Sequence, residues 1–254
     1  MPAMKDFDPK VMSLLQEEIQ MIRTDKGAIY LVGPINLPVN LRGRTVQFKW
    51  YCWLNCKEVT EEFERIVAKL SDVNLAEFQQ SSVLVHGDFQ NAEHALIRFH
   101  SICHTGDIFG SKRCDCGYQL EQSLEHIAEH GNGALFYLAN HEGRGIGLFS
   151  KALAYILQQN GYDTVDANLQ LGFVDDARDY SDAIKVLNVL RSKPVTLITN
   201  NPKKINALRN AGMAVEDRVQ LWGDVSEYNE KYLKTKIERS GHINEGKGCC
   251  NNDD

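Results

Sequence analysis

The chain has 254 residues, of which 43% are hydrophobic and 24% charged, and a formal net charge of −6. This length and apolar content support a sizeable core and exclude a wholly disordered chain. The acidic balance excludes a broad nucleic-acid surface, which needs clustered and unopposed Lys and Arg, whereas a small anionic ligand needs only a local basic pocket.

In chain order, Val11, Leu14, Leu15, Ile19 and Ile22 recur at helical spacing, with Asp8 as a cap and Pro9 at the first helical position. This predicts an amphipathic helix over 8–24 whose apolar stripe docks on the body or on a second subunit. Residues 28–32 and 45–54 read as strands around a turn-rich stretch holding Gly33, Pro34, Pro38 and Gly43. A helix over 58–70 and a strand pair at 82–87 and 94–101 follow, so the front half is expected to be mainly β.

After Gly117 the pattern alternates. It predicts helix 118–130 closed by Gly131, strand 133–139, helix 147–160 closed by Gly161, and a short strand at 163–166. Helix 180–191, strand 195–199, helix 203–211 closed by Gly212, and strand 213–216 complete it. Such β-α units give an α/β fold class: a β-rich front, then a mostly parallel sheet flanked by helices. Ligands of such sheets sit beyond the carboxyl ends of the strands.

The first twenty residues carry Lys5, Asp6, Asp8 and Glu17 and no apolar signal core, and no run is long enough to span a bilayer. Seven cysteines in a chain read this way suggest reduced thiols, metal ligation and a cytoplasmic location. Cys103, Cys114 and Cys116 stand together in a polar, Gly-bounded stretch. Three thiolates suit Zn²⁺, and a free fourth position would make the metal catalytic by activating water. On spacing alone a closed structural site stays open, with His100 or His104 as fourth ligand.

Glu142-Gly143-Arg144-Gly145-Ile146-Gly147 follows a predicted strand and opens a helix, so its backbone amides and Arg144 are positioned for an anion. Loop packing is the competing explanation for its glycines. At a second strand-to-helix turn, Thr199-Asn-Asn-Pro-Lys-Lys204 offers a hydroxyl, amides and two cations, a phosphate cradle or a capped helix with solvated lysines. Arg98 is close enough in sequence to the first thiol to reach phosphate as well. The polar block from Asn168 to Tyr180 brings acid and base together, as proton transfer requires. By itself it also fits a surface ion-pair cluster.

Taken together, Arg98-Phe-His-Ser-Ile-Cys103, Thr105-Gly-Asp, Arg113-Cys-Asp-Cys-Gly-Tyr-Gln119, Glu142-Gly-Arg-Gly-Ile-Gly-Leu, Gly161-Tyr-Asp-Thr164, Asn168 to Tyr180 and Thr199 to Lys204 resemble the GTP cyclohydrolase II family from about Ser82 to Val219. The resemblance implies Zn²⁺ on Cys103, Cys114 and Cys116. It implies guanine recognition by groups including Gln119, Glu142 and Thr164, with Gly143 in the same loop. Phosphates are implied near Arg98, His100, Ser101, Arg144, Thr199 and Lys204, with Mg²⁺ accompanying the triphosphate.

The implied reaction removes pyrophosphate, opens the imidazole ring at C8 and releases that carbon as formate. Tyr155 matches the tyrosine of the ring chemistry, and Asp176 the proton acceptor. Arg178 matches the residue described as a nucleophile toward the α-phosphate. An arginine stays protonated, so charge stabilisation of the leaving group is an equal reading. A GTP-binding homodimer, with no nucleic-acid or membrane partner, is the implied assembly.

The expected division is a divergent region over 1–80, a catalytic core over 81–236, and a polar disordered tail over 240–254 holding Cys249 and Cys250. Ile102 replaces a usual Glu, and His141 a usual Gln in a loop one residue longer. Two alternatives are therefore kept: a relative with altered substrate or product, and a zinc-containing nucleotide binder without turnover.

Overall fold

The computed structural model describes residues 8–70, 72, 74–75 and 80–244. Helix α1 spans Pro9–Glu17, capped by the Asp8 carboxylate accepting from the Lys10 amide at 2.8 Å. It is shorter than expected. Ile19–Thr24 forms strand β1 and pairs antiparallel with β2 (Gly27–Leu41) from Ile19↔Val32 to Thr24↔Gly27. The β-branched Ile19, Ile22 and Thr24 satisfied the helical period but fit the pleated ladder better. Of the expected stripe, Val11, Leu14 and Leu15 on α1 are exposed, and the buried residue of this helix is Met12 instead.

Strand β3 (Arg44–Cys56) runs back along β2 through a two-residue turn at Arg42–Gly43, both at positive φ as such a hairpin requires. The stretch expected to be a loop is thus strand. Gly33 and Pro34, joined by a cis peptide, sit at an irregularity between Val32 and Ile35, one place where a sheet tolerates proline. Helix α2 is Phe63–Leu70.

Strands β4 (Ser82–His86), β5 (Leu96–Ser101), β6 (Gly133–Leu138), β7 (Val195–Ile198) and β8 (Val215–Val219) complete one eight-stranded sheet in the order β1-β2-β3-β4-β6-β5-β7-β8. β4 and β5 are not partners, because β6 lies between them. Pairings from β1 to β4 and between β4 and β6 are antiparallel, while β5 is parallel to β6 and β7, and β7 to β8. The sheet is mixed, with its parallel part confined to the side built from β-α units.

Helices α3 (Cys116–His130), α4 (Leu148–Gln159), α5 (Thr164–Gln170), α6 (Ser181–Leu190), α7 (Pro202–Asn210) and α8 (Glu230–Glu238) follow. The segment expected as a strand near 163–166 instead begins α5, because the Asp163 carboxylate accepts from the Asp166 amide at 2.8 Å and starts a helix. Residues 240–244, expected to open the tail, run beside the body, where the Ile243 amide donates to the Asn200 carbonyl at 2.8 Å. Cys249 and Cys250 lie outside the described residues.

Alternation along the central strands divides the core. Ile97, Phe99, Ala134, Phe136 and Leu138 face α6 and α7, through Ile184, Leu187 and Leu208. Leu96 and Leu135 face the other way, onto Leu124 and Ile127 of α3. The Phe99 and Phe136 rings meet edge-on at 4.9 Å, a geometry worth about 0.5–1.5 kcal/mol beyond burial.

Buried Arg191 closes the fold behind the sheet. Its guanidinium donates to the carbonyls of Phe89, Ala92, Glu93, Lys193 and Pro194. This fastens the segment that feeds β5. Among the described residues, no helix is long and apolar enough to cross a membrane.

Candidate active site

The parallel strands place their carboxyl ends at one edge, and the chain leaves β5 toward β6 on one side and β7 toward β8 on the other. The crevice between β5 and β7 is therefore the switch point of the sheet. Two buried cations bridge it. Arg98 on β5 donates through Nη1 to the Ile198 carbonyl at 3.0 Å, and Lys204 on α7 donates to the Phe99 carbonyl at 2.6 Å. Every residue expected at the site lines one cavity here except Asp176.

Cys103 follows β5, and Cys114 and Cys116 lie at the start of α3. Their sulfurs all fall within 4.8 Å of one another, with Cys103 and Cys114 at 3.6 Å. Hydrogen bonds from Cys114 and Cys116 hold the Cys103 thiol well below its ordinary pKa, while donation to Cys103 pushes Cys114 up to about 11. Three soft sulfur donors converging this closely fit a metal ion.

The π-helical turn His104–Ile108 packs over the sulfurs. A Cβ on Gly106 would stand 2.9 Å from the Cys114 sulfur and 3.1 Å from that of Cys103, so glycine permits this close approach.

Neither histidine proposed as a fourth ligand joins the cluster among the described residues. His100 Nε2 lies 3.0 Å from the Asp107 carboxylate, which also accepts from the Cys103 amide at 3.0 Å and the Tyr137 hydroxyl at 3.0 Å. Burial lowers the His100 pKa, so the ring is neutral with its proton on Nε2. Its Nδ1 is a buried acceptor with no protein partner. The His104 ring packs edge-on against Phe109.

Lys151 escaped sequence reading, since its position on α4 carries no motif of its own. Its ammonium lies 3.2 Å from the Cys103 sulfur and 2.7 Å from Glu142 Oε1. Burial opposes the charge, but Cys103 and Glu142 hold its pKa above the ordinary lysine value. Glu142 also accepts from the His104 amide at 2.7 Å and from the Gly143 amide at 3.1 Å.

The Gly143, Gly145 and Gly147 amides all bond to Glu142, so the expected amide cradle is already engaged. What this loop offers an anion is Arg144, itself at positive φ, paired with Asp175 and bonded to Ser240 Oγ at 3.2 Å.

Arg178 is held by both oxygens of Asp176, at 2.7 and 2.8 Å. Burial opposes both charges, yet the pair keeps the Asp176 carboxyl well below the usual range and Arg178 above its ordinary value. Arg178 Nη1 reaches Ser101 Oγ at 3.4 Å. Ser101 in turn donates to His141 Nδ1 at 3.2 Å, because His141 Nε2 must donate to the Asp179 carbonyl at 2.8 Å. Burial brings His141 down to about 4, so this relay is neutral.

Burial, and then Arg98 and Arg178, push the Lys204 pKa well below its ordinary value, a strain that a bound anion would relieve.

Gln119 is saturated from below. Its carbonyl accepts from Arg98, and its amide donates to Asp115 at 2.6 Å and Leu221 O at 3.2 Å. It positions Arg98. Thr199 Oγ1 accepts from the Asn201 amide at 3.0 Å, and Thr164 opens α5 on the cavity wall. Tyr155 Oη lies 3.3 Å from Thr105 Oγ1, with the Arg113 guanidinium 4.2 Å from its ring centre. Burial raises the Tyr155 pKa, keeping its hydroxyl a donor.

A larger cavity of about 800 Å³ lies between β3, α2 and the outer side of Gly145–Gly147, without a comparable grouping of thiols and cations in its described lining.

A three-thiol centre able to hold a cation, beside a cationic cradle at the switch point of a sheet, defines a class of α/β enzyme site. The family follows from sequence comparison: the profile of GTP cyclohydrolase II matches residues 65–220, and the chain belongs to this hydrolase family.

The chain is 53% identical over 163 residues to riboflavin biosynthesis protein RibBA of Chlamydia trachomatis, covering 64% of this chain and 38% of the relative. It is 47% identical over 171 residues to RibBA of Bacillus velezensis, covering 67% and 43%. It is 48% identical over 165 residues to GTP cyclohydrolase-2 of Colwellia psychrerythraea, covering 65% and 81%. The chain thus spans about two fifths of the length of the RibBA relatives it matches.

Proposed function

We propose that the protein hydrolyses GTP, releasing pyrophosphate and the C8 carbon as formate to leave a diaminopyrimidinone ribosyl monophosphate for riboflavin synthesis. The observation that carries the reading is one cavity lined by both the sulfur cluster and the cations Arg98, Arg144, Arg178 and Lys204. Cys103, Cys114 and Cys116 would hold a zinc ion, which would supply the Lewis acidity that makes water nucleophilic at neutral pH.

The chain's own groups divide the remaining work. Arg98 and Lys204 receive the phosphates, accompanied by Mg²⁺, where buried positive charge lacks an anion. Arg178 stays protonated, and Asp176 aims it at the pyrophosphate that departs from the α-phosphate. In this pair Asp176 is a weak base, so it takes a proton only once substrate has drawn Arg178 away.

Tyr155 gives its hydroxyl proton to the ring nitrogen released from C8. His100 Nδ1 accepts a hydrogen bond inside the cavity, and Glu142 and Thr164 face the guanine. The five described cysteines are free thiols, as a reducing compartment such as the cytoplasm would keep them. Leu148, Phe149 and Ile156 on α4, with Phe109 nearby in sequence to the cluster, are exposed and support a homodimer.

His141, tied to Ser101 and Asp179, is the specific feature that favours the second reading, an altered product. Incubation of the pure protein with GTP, Mg²⁺ and Zn²⁺, followed by mass spectrometry, should yield formate, pyrophosphate and the deformylated nucleotide. A retained formyl group selects the second reading. Absence of both small products removes the first, and light scattering of the same sample at the monomer mass removes the dimer.

A further inference from the structure

We propose that the C-terminal segment Tyr232–Ile243 is a wall of the polyphosphate pocket, in which Lys236 and His242 bind and position the phosphate chain. This rests on the nucleotide triphosphate reading and extends it beyond residue 220, where the family match ends. Tyr232, Lys236 and His242 line the same cavity as Cys103 and Lys204.

Three separate anchors set the segment in place. Ser240 Oγ accepts from Arg144 Nη2 at 3.2 Å, and the Ile243 amide donates to the Asn200 carbonyl at 2.8 Å, inside the Thr199–Lys204 turn. Arg239 bonds to Asp166 at 2.9 Å beside Thr164, and also to Asp163. Each anchor ends on a loop that carries a candidate phosphate or base contact, so the segment joins the loops that ligand must bridge.

The charges point the same way. Lys236, Lys204, Arg178 and Arg144 surround His242; burial first, and then these four cations, bring its imidazole down to about 3. Asp115 pairs with Lys236 at 2.7 Å, Asp176 with Arg178, and Asp175 with Arg144, whereas Lys204 donates to a carbonyl. Lys204 is therefore the one of the four without a carboxylate partner among the described residues, and it stands near a neutral ring. His242 Nδ1 donates to the Lys236 carbonyl at 3.1 Å, which fixes the ring with a bare Nε2. An arriving phosphate offsets the surrounding cations, so Nε2 takes up a proton from solvent and donates that N–H to a phosphate oxygen. A polyphosphate suits a site where one cation without a carboxylate partner and three paired ones, drawn from α7, α8 and two loops, keep N–H donors to spare.

The test measures inorganic tripolyphosphate and guanosine separately by calorimetry, and the KM for GTP, on the full-length zinc-loaded chain. His242→Ala should weaken tripolyphosphate binding and raise the KM for GTP about tenfold, the scale of one lost charged hydrogen bond. Guanosine affinity, zinc content and melting midpoint should not move, and His242→Asn, which keeps a donor, should recover part of the loss.

Unchanged tripolyphosphate affinity in both variants, or an equal loss for guanosine, overturns the proposal. If wild-type protein binds tripolyphosphate in a His242-dependent way yet leaves GTP intact, the wall stands and the assigned activity falls. Binding of neither ligand by wild-type protein sinks both.

Discussion

The two halves of the sheet use the same kind of strand for different ends. From β1 to β4 the chain reverses at each step, so consecutive strand ends fall on opposite edges and no three of them can gather one set of side chains. In the parallel half, Cys103 follows β5, Glu142 follows β6, and Thr199 follows β7 on a common edge. The expected site residues gather where strand direction is uniform, and β1 to β4 carry none of them. This contrast predicts that variants in the two halves fail differently.

The largest effect is expected at the sulfur centre. Cys114→Ser should lose bound zinc and reduce turnover to background while remaining folded, as read by elemental analysis and circular dichroism. An unfolded product would break the contrast, because the thiols would then hold the fold as well.

Next comes Arg178→Ala, which removes the charge proposed to face the leaving group and should lower kcat roughly 10²–10³-fold. A rise in KM alone would limit Arg178 to binding.

The smallest effect belongs to the front half. Tyr30 donates its hydroxyl to the Thr60 carbonyl at 2.9 Å and accepts from the Thr60 amide at 3.0 Å. Tyr30→Phe should cost about 0.5–1.5 kcal/mol in urea unfolding and leave kcat/KM unchanged. A matching fall in kcat/KM would show that the front half reaches the chemistry.

The same contrast explains what was legible in advance. The thiol trio, the Gly-rich loop and the Thr199–Lys204 turn each fall within one short stretch of sequence, and a strand-to-helix junction is marked by a change of period. Cross-chain partnerships carry no such mark. That Gln119 is saturated beneath Arg98, and that Lys151 reaches both Cys103 and Glu142, follows from packing between distant segments.

Helix α8 has Glu230, Lys231, Lys234, Lys236 and Glu238 among its nine residues, so its short apolar face was hidden in charge. The N-terminal error had the opposite origin: an apolar spacing that suited a helix continued into residues whose partners lay in β2. Long-range pairing overrode local period there. At β2 the prolines and glycines were read as a loop because turn chemistry and a strand irregularity use the same residues.

Arg191 shows how influence can travel without contact. One side chain moors five carbonyls behind the sheet, and the segment it fastens leads directly into the strand carrying Arg98, His100 and Ser101. A lysine cannot imitate that planar fork. A genetic screen scored on turnover would therefore pick out Arg191, although its side chain is absent from the cavity lining.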